Sequence, residues 1–212
     1  MKPFQVLFFV LIVRPIIMIV LGLNTHNRDK LPLQGPAIIA ANHNSHLDTV
    51  TLMSLWPLAK LSRVRPIAAA DYFLKTKFMA WFSLNVINII PLDRHRTDKD
   101  KDPLADLSAA LQRNEIIILF PEGSRGEPEQ MSRFKTGISR LVERHPEVPI
   151  IPIFMYGLGK ALPRGDFLLV PFFCDVSVGE PIYWQNSVED TMNVYQNSMQ
   201  SLAEMCEVPE WE

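Results

Sequence analysis

A histidine and an aspartate that are five residues apart follow the apolar segment Ala37–Ala41. This segment is typical of a buried strand, and a loop at a strand end is a frequent active-site position. If Ser45 caps a helix whose first turn holds Asp48, the Asp48 carboxylate comes within hydrogen-bond range of one ring nitrogen of His43. The other nitrogen is then a base for an alcohol, because the aspartate fixes the tautomer and stabilises the imidazolium. A simple capping box, with His43 as an ordinary turn residue, is the alternative.

A second polar group follows the most hydrophobic predicted strand, Ile116–Phe120. Gly123 lets the backbone approach a ligand closely, and Arg125 offers a planar fork that suits a phosphate. Lys135, which begins the next predicted helix, supplies a second positive charge. The alternative is a Pro-Glu-Gly turn with solvated charges. Residues 90–94 (IPLDR) form a third candidate, for which a surface salt bridge is the alternative.

A metal-dependent hydrolase would use His43, His46 and Asp48 of the first loop as ligands. No further His or Cys cluster completes such a site in the sequence. Cys174 and Cys206 are far apart and form no Cys-x-x-Cys motif, so neither a disulfide framework nor a structural zinc site is suggested. We therefore expect no metal and no other cofactor.

The positioning elements are predicted from apolar runs. Four runs are typical of buried strands: Ala37–Ala41, Ile116–Phe120, Ile150–Tyr156 and Phe167–Phe172. Three helices are predicted, after Asp102-Pro103, over the stripe Phe134, Ile138, Leu141 and Val142, and after the capping box of Ser187 and Asp190. The 21 basic and 23 acidic residues give a net charge of −2, which argues against a nucleic-acid partner. The prediction is an α/β protein in which residues 25–212 form a single domain, a mixed sheet flanked by helices.

Residues 1–24 are predicted to be a helical membrane-associating segment. Almost every residue from Phe4 to Leu23 is apolar, but Arg14-Pro15 interrupts the run at its middle, which disfavours a simple transmembrane span. A cleavable signal peptide also fits poorly. We expect an anchor in one leaflet, on the cytoplasmic face of the inner or plasma membrane, with basic residues near the anionic head groups. These residues are Lys2, Arg14, Arg28 and Lys30. A core helix is the alternative.

Four blocks occur in a fixed order between about residues 35 and 160: NHNSHLD (42–48), IIPLDR (89–94), FPEGSR (120–125) and VPIIP (148–152). This ordered set resembles the glycerolipid acyltransferase family, which includes the lysophosphatidic acid acyltransferases. The resemblance implies that His43 is the catalytic base and Asp48 its orienting carboxylate. It implies substrate-phosphate contacts from Arg94 and from the third block, at Glu122, Gly123, Ser124 and Arg125. Lys135 is added from the charge argument alone. Asn88 departs from the glycine of many members, which leaves the local turn in question.

The resemblance implies direct transfer of a fatty acyl chain from a thioester, acyl-CoA or acyl carrier protein, to the free hydroxyl of a lysophospholipid in a membrane. The first-choice acceptor is 1-acyl-glycerol-3-phosphate, which gives phosphatidic acid. No covalent acyl-enzyme is required, and no Gly-x-Ser-x-Gly motif occurs. A lysolipid with a different head group would use the same chemistry. A non-catalytic lipid-binding protein would keep the anchor and the basic pocket.

Overall fold

The computed structural model describes residues 2–93, 102–127, 130–162 and 168–206. Within these residues a single sheet has seven strands: β1 (Leu21–His26), β2 (Ala37–Ala41), β3 (Val64–Ala69), β4 (Ile90–Leu92), β5 (Ile116–Leu119), β6 (Ile150–Tyr156) and β7 (Phe172–Val178). Their spatial order is β1-β7-β6-β2-β5-β3-β4. The described neighbours are parallel, except that β6 and β7 are antiparallel. The predicted mixed sheet in an α/β protein is confirmed.

Helices cover both faces of the sheet. They are α1 (Pro3–Val20), α2 (Asp48–Ser54), α3 (Ala70–Phe73), α4 (Lys77–Phe82, continued by the π-helical turn Ser83–Ile87), α5 (Ala105–Gln112), α6 (Gly137–Arg144), α7 (Leu158–Ala161) and α8 (Val188–Cys206). Two short 3₁₀ turns span Arg28–Lys30 and Leu58–Arg63. Strand β2 is buried at every position, because its alternate side chains enter two separate cores. One core contains residues of α1 and α2, and the other contains residues of α5, α6 and α8.

The N-terminal helix α1 has one packed face and one exposed apolar face. Phe9, Val13 and Ile17 recur every four residues and lie in the first core. The exposed apolar side chains are Phe4, Leu7, Val10, Leu11, Ile12, Met18 and Ile19. By length and composition this helix could cross a membrane, and most of it is unburied. It ends at Val20, before the predicted boundary at residue 24, because Leu21–His26 pair with β7 as a strand.

The predicted strands β2 and β6 have the bounds that the sequence indicated, but the fourth strand was wrong. The chain is extended in the sheet over Phe172–Val178, whereas Leu168 and Val170 lie outside the strand and are exposed. The prediction followed the continuous apolar run FLLVPF at 167–172. The strand instead follows the alternation that places Cys174, Val176 and Val178 in the core.

The three predicted helices are present, and two of them start later than the sequence indicated. Helix α5 begins two residues after Pro103, although Asp102 does accept a hydrogen bond from the Leu104 N–H (3.1 Å). Helix α6 begins at Gly137 rather than at Phe134 and ends before His145-Pro146. Helix α8 begins after Ser187, whose Oγ accepts from the Asp190 N–H (2.9 Å) as the capping box predicts.

Asn88 stands at the turn before β4 in the left-handed conformation, with φ of 68°. Asparagine tolerates this region better than other non-glycine residues do. Its side chain donates to the Ser62 carbonyl (3.1 Å) and accepts from Lys2 Nζ (2.6 Å). The departure from glycine therefore preserves the turn and ties the start of α1 to it.

Candidate active site

The first and third blocks emerge side by side from the sheet. Strands β2 and β5 are parallel neighbours, with Ala40 opposite Leu119, so the loops that follow them leave at the same edge. We call this edge the catalytic edge. The two loops are also joined directly, because the Gly126 N–H donates to the His43 carbonyl (2.9 Å).

The His43–Asp48 pair has the geometry that the spacing predicts. His43 Nδ1 lies 2.8 Å from Asp48 Oδ2, and the Asp48 side chain is almost completely buried. The same oxygen accepts from the N–H groups of Asn44 (2.8 Å) and Ser45 (2.9 Å). Ser45 Oγ, however, accepts from the Leu47 N–H, and α2 begins at Asp48 without a side-chain cap. The Asp48 side of the capping box is formed, and it coexists with the histidine contact.

The His43 ring is fixed from two sides. It stacks on Phe120, with ring centroids 4.0 Å apart and an interplanar angle of 15°, and it keeps 20% of its side chain exposed. With Nδ1 donating to the Asp48 carboxylate, Nε2 is the ring nitrogen left to accept a proton. This geometry suits a general base, because the ring is oriented and one nitrogen lies at a partly open position.

Glu122 connects the third block to the first. Its Oε1 accepts from the His43 N–H (3.0 Å), and its Oε2 accepts from the Ser132 N–H (3.1 Å). The residue is buried, and burial raises the pKa of its carboxyl, against the lowering effect of these hydrogen bonds. Both oxygens of Glu122 are therefore engaged within the protein, next to the main chain of the candidate base.

The positive charges gather around the Gly123 turn. Gly123 has φ of 76°, a conformation that favours glycine, and the Lys135 side chain packs over its Cα, in the space that a Cβ would occupy. The Lys135 N–H donates to the Pro121 carbonyl (2.9 Å), which fixes its backbone against the same turn. Ser124 is exposed and Arg125 is partly buried. Burial, followed by the positive charge of Arg125, lowers the pKa of His46.

Arg94 of the second block lies outside the described residues, which include the preceding Asp93. Strand β4 ends at Leu92 and is parallel to β3, which is parallel to β5, so β4 also ends at the catalytic edge. The fourth block leads into β6, with Ile150, Ile151 and Pro152 buried in the sheet. In the part of the chain that the structure describes, no group of three His, Cys, Asp or Glu side chains is placed to hold a metal ion.

A protein-family model described as acyltransferase matches residues 22–156, from the first strand to the end of β6. This range is more than half of the chain and contains all four sequence blocks. The chain belongs to the acyltransferase family.

Relatives of this acyltransferase carry more specific names. The 1-acyl-sn-glycerol-3-phosphate acyltransferase alpha of Homo sapiens is 30% identical over 152 residues, which are 71% of this chain and 51% of the human protein. The chloroplastic 1-acyl-sn-glycerol-3-phosphate acyltransferase BAT2 of Brassica napus is 26% identical over 170 residues, 75% of this chain and 47% of that protein. The match thus spans about half the length of these relatives. Together with the family model, they confirm the glycerolipid acyltransferase resemblance.

The fold of the acyltransferase is shared with a solved structure. The crystal structure of the 1-acyl-sn-glycerophosphate (LPA) acyltransferase PlsC from Thermotoga maritima superposes with a TM-score of 0.74 at 18% identity. The superposition covers 94% of this chain and 78% of the other. At this identity the likeness concerns the fold, and it includes the α/β arrangement described above.

Sequence reasoning missed two asparagines that shape the candidate site. Asn42 Nδ2 donates to the Met155 carbonyl (2.8 Å) and Asn42 Oδ1 accepts from the Met155 N–H (2.7 Å), so the side chain pairs with the end of β6 as a strand would. Asn44 Nδ2 donates to the carbonyls of Glu127 and Gln130, beyond the third block. The signal was their position on either side of His43 in a segment otherwise predicted as a strand end.

Proposed function

We propose that this acyltransferase moves a fatty acyl chain from an acyl thioester to the free hydroxyl of a lysophospholipid, with 1-acyl-glycerol-3-phosphate as the first-choice acceptor. The observation that carries the proposal is the oriented His43–Asp48 pair, 2.8 Å apart, in a loop bonded to the one that bears Arg125. The names of the relatives support the acceptor. The thioester is acyl-CoA or an acyl carrier protein, and either donor presents the same reacting carbonyl.

The reaction needs one proton to move twice. His43 Nε2 accepts the hydroxyl proton as the acceptor oxygen attacks the thioester carbonyl carbon and a C–O bond forms. The tetrahedral intermediate then collapses, the C–S bond breaks, and the imidazolium returns the proton to the departing thiolate. Asp48 stabilises the imidazolium between these two events, and its buried oxygen is held by two backbone N–H groups. Because the acceptor attacks directly, no cofactor and no covalent acyl-enzyme take part.

The acceptor is positioned by residues 121–125 and the side chain of Lys135, which together we call the cationic turn. Arg125 suits a phosphate because its guanidinium presents two parallel donors, whereas Lys135 adds a point charge over Gly123. Gly123 and Ser124 contribute backbone and hydroxyl groups on the exposed side of the turn, and Arg94 of the second block is included on the resemblance. Holding the phosphate fixes the hydroxyl near the base, which lowers the entropic barrier of the transfer.

The proposal places the acyltransferase on a membrane through α1. Its exposed apolar face and the flanking basic residues suit an anchor that lies in one leaflet. In this proposal the enzyme lies on the cytoplasmic face of the inner or plasma membrane. Both lipid substrates are then concentrated where the catalytic edge can reach them.

The test is a turnover assay on the purified full chain. Thiol release is measured with acyl-CoA and with acyl carrier protein against lysolipids of different head groups, for His43→Ala, Asp48→Asn and His46→Ala, with and without chelator. We expect near-complete loss in His43→Ala, severe loss in Asp48→Asn and substantial activity in His46→Ala. His26→Ala is the matched control, because His26 pairs with Asp175 (3.1 Å) outside the four blocks. Chelator sensitivity with an inactive His46→Ala would indicate a metal enzyme, and lipid binding without turnover would indicate a non-catalytic protein.

A further inference from the structure

A second exposed apolar surface lies beside α1, on residues 72–84 of helices α3 and α4. Five large side chains of this segment face outward: Tyr72 (51% exposed), Leu74 (37%), Phe78 (73%), Trp81 (44%) and Leu84 (38%). Monomeric soluble proteins rarely expose so many large apolar groups in one short segment. The surface therefore needs an occupant.

The segment is joined to α1 at several points. Phe4 and Trp81 make an edge-to-face contact with ring centroids 5.5 Å apart, and Phe8 and Phe82 make another at 5.2 Å. Lys2 Nζ donates to the Leu84 carbonyl (3.2 Å) as well as to Asn88. The exposed face of α1 and the segment are thus continuous, and whatever covers one extends onto the other.

Charge favours a lipid surface as the occupant. Between Asp71 and Asp93, which bound this stretch, the sequence contains no Asp or Glu, whereas Lys75 and Lys77 are exposed between the aromatic residues. Tyrosine and tryptophan beside lysine are typical of the boundary between lipid head groups and acyl chains. Each exposed lysine adds attraction to an anionic membrane.

The position of the segment relates it to the catalytic edge. Strand β3 is parallel to β5, so α3, which follows β3 directly, begins at the edge where His43 lies. Strand β1 is antiparallel to β2 through β7 and β6, so the end of α1, with the exposed Met18 and Ile19, reaches the same edge. Apolar side chains from both segments therefore border the side of the molecule where an acyl chain must enter.

We propose that residues 72–84 form a second membrane-inserting element, which enters the interface of an anionic bilayer beside α1. This inference rests on the proposed membrane association of α1. It adds a second point of contact, and two contacts fix the orientation of the catalytic edge over the lipid. Phe78 and Trp81 enter the acyl-chain boundary, and Lys75 and Lys77 lie at the head groups.

Vesicle flotation of the full chain tests the proposal without any turnover. The vesicles are phosphatidylcholine alone or phosphatidylcholine with phosphatidylglycerol. Phe78→Ser should weaken partitioning about tenfold or more, since a large apolar side chain loses its burial in lipid. The double variant Lys75→Glu/Lys77→Glu should remove most of the preference for anionic vesicles. Met205→Ser and Arg140→Glu, which change exposed residues on α8 and α6, are the matched controls and should bind as the wild type does.

Trp81 provides a direct reading of depth. Brominated lipids should quench the fluorescence of Trp81. Its signal is separated from that of the other tryptophans by subtracting the spectrum of Trp81→Phe from that of the wild type. Normal flotation of Phe78→Ser with unquenched Trp81 would overturn the proposal while leaving α1 as the anchor. A change from dimer to monomer in Phe78→Ser at unchanged vesicle binding would also overturn it, in favour of a second copy of the chain. Circular dichroism confirms that each variant is folded. Because turnover is not measured, a failure of the proposed reaction stays separate from these outcomes.

Discussion

Replacing Glu122 with glutamine tests whether this residue positions the base, His43, or contacts the phosphate of the acceptor lipid. The carboxylate accepts from the N–H of His43 at 3.0 Å and from that of Ser132 at 3.1 Å, and it is only 4% exposed. Glutamine has the same shape but offers one oxygen and one NH₂ group. One of the two backbone N–H groups, that of His43 or that of Ser132, must then face the NH₂ group of the glutamine. The link through which residue 122 holds the His43 main chain is therefore weakened.

The magnitude follows from these two contacts. A buried N–H left without its charged acceptor costs about 1–3 kcal/mol. If this cost is expressed in the placement of His43, kcat falls about 5- to 150-fold. The KM for the acceptor should stay within about twofold, because in this view Glu122 does not contact the phosphate.

Steady-state kinetics with a lysolipid series and a saturating donor measure the two constants separately. Glu115→Gln is the matched control, because Glu115 is also largely buried but pairs with Arg65 (3.2 Å) away from the third block. This control should lose stability and keep its kcat. A Glu122→Gln enzyme with normal kcat and a strongly raised acceptor KM would refute the reasoning, and it would support the phosphate contact that the family resemblance implies.

Three further predictions concern the same loops. Arg125→Ala should raise the KM for a phosphate-bearing acceptor more than Lys135→Ala does, since a bidentate fork is harder to replace than a point charge; a larger effect of Lys135→Ala would reverse this ranking. Asn42→Ala should lower the free energy of unfolding by about 2–4 kcal/mol, because the Met155 N–H and carbonyl both lose a buried partner; an unchanged denaturant midpoint would contradict this. The difference in free energy of unfolding between wild type and Glu122→Gln should be most in favour of the wild type in acid. It should shrink as the pH rises through the raised pKa of Glu122, because above that pKa the wild type buries a charged carboxylate; a difference that grows with pH would contradict a raised pKa.

The features that the sequence predicted best are those that depend on residues close together in the chain. Strands β2 and β6 are buried on both faces, so their apolar runs had clear ends, and the capping box of α8 lies within four residues. The His43–Asp48 contact was also local. The first strand could not be distinguished from the apolar segment before it, because β1 continues directly from α1.

Contacts between distant segments were not predictable from the sequence. That Glu122 would bond the His43 main chain depends on β2 and β5 being neighbours, which residues 79 positions apart do not reveal. Asn42 reads as an ordinary loop asparagine until β6 is placed beside it. The cationic turn was recognised by residue type, but the packing of Lys135 over Gly123 follows from the backbone conformation of the turn.

Helix α1 packs one face into the core and exposes an apolar second face, and this limits how the solubility of the protein can be raised. Phe9, Val13 and Ile17 fill the core that also contains α2, the helix that begins with Asp48. Cutting α1 away would therefore open a hole beneath the site and promote aggregation. A soluble enzyme suited to crystallisation or drug screening is better obtained by polar substitutions at Leu7, Leu11, Met18 and Ile19, which change the outer face and keep the inner one.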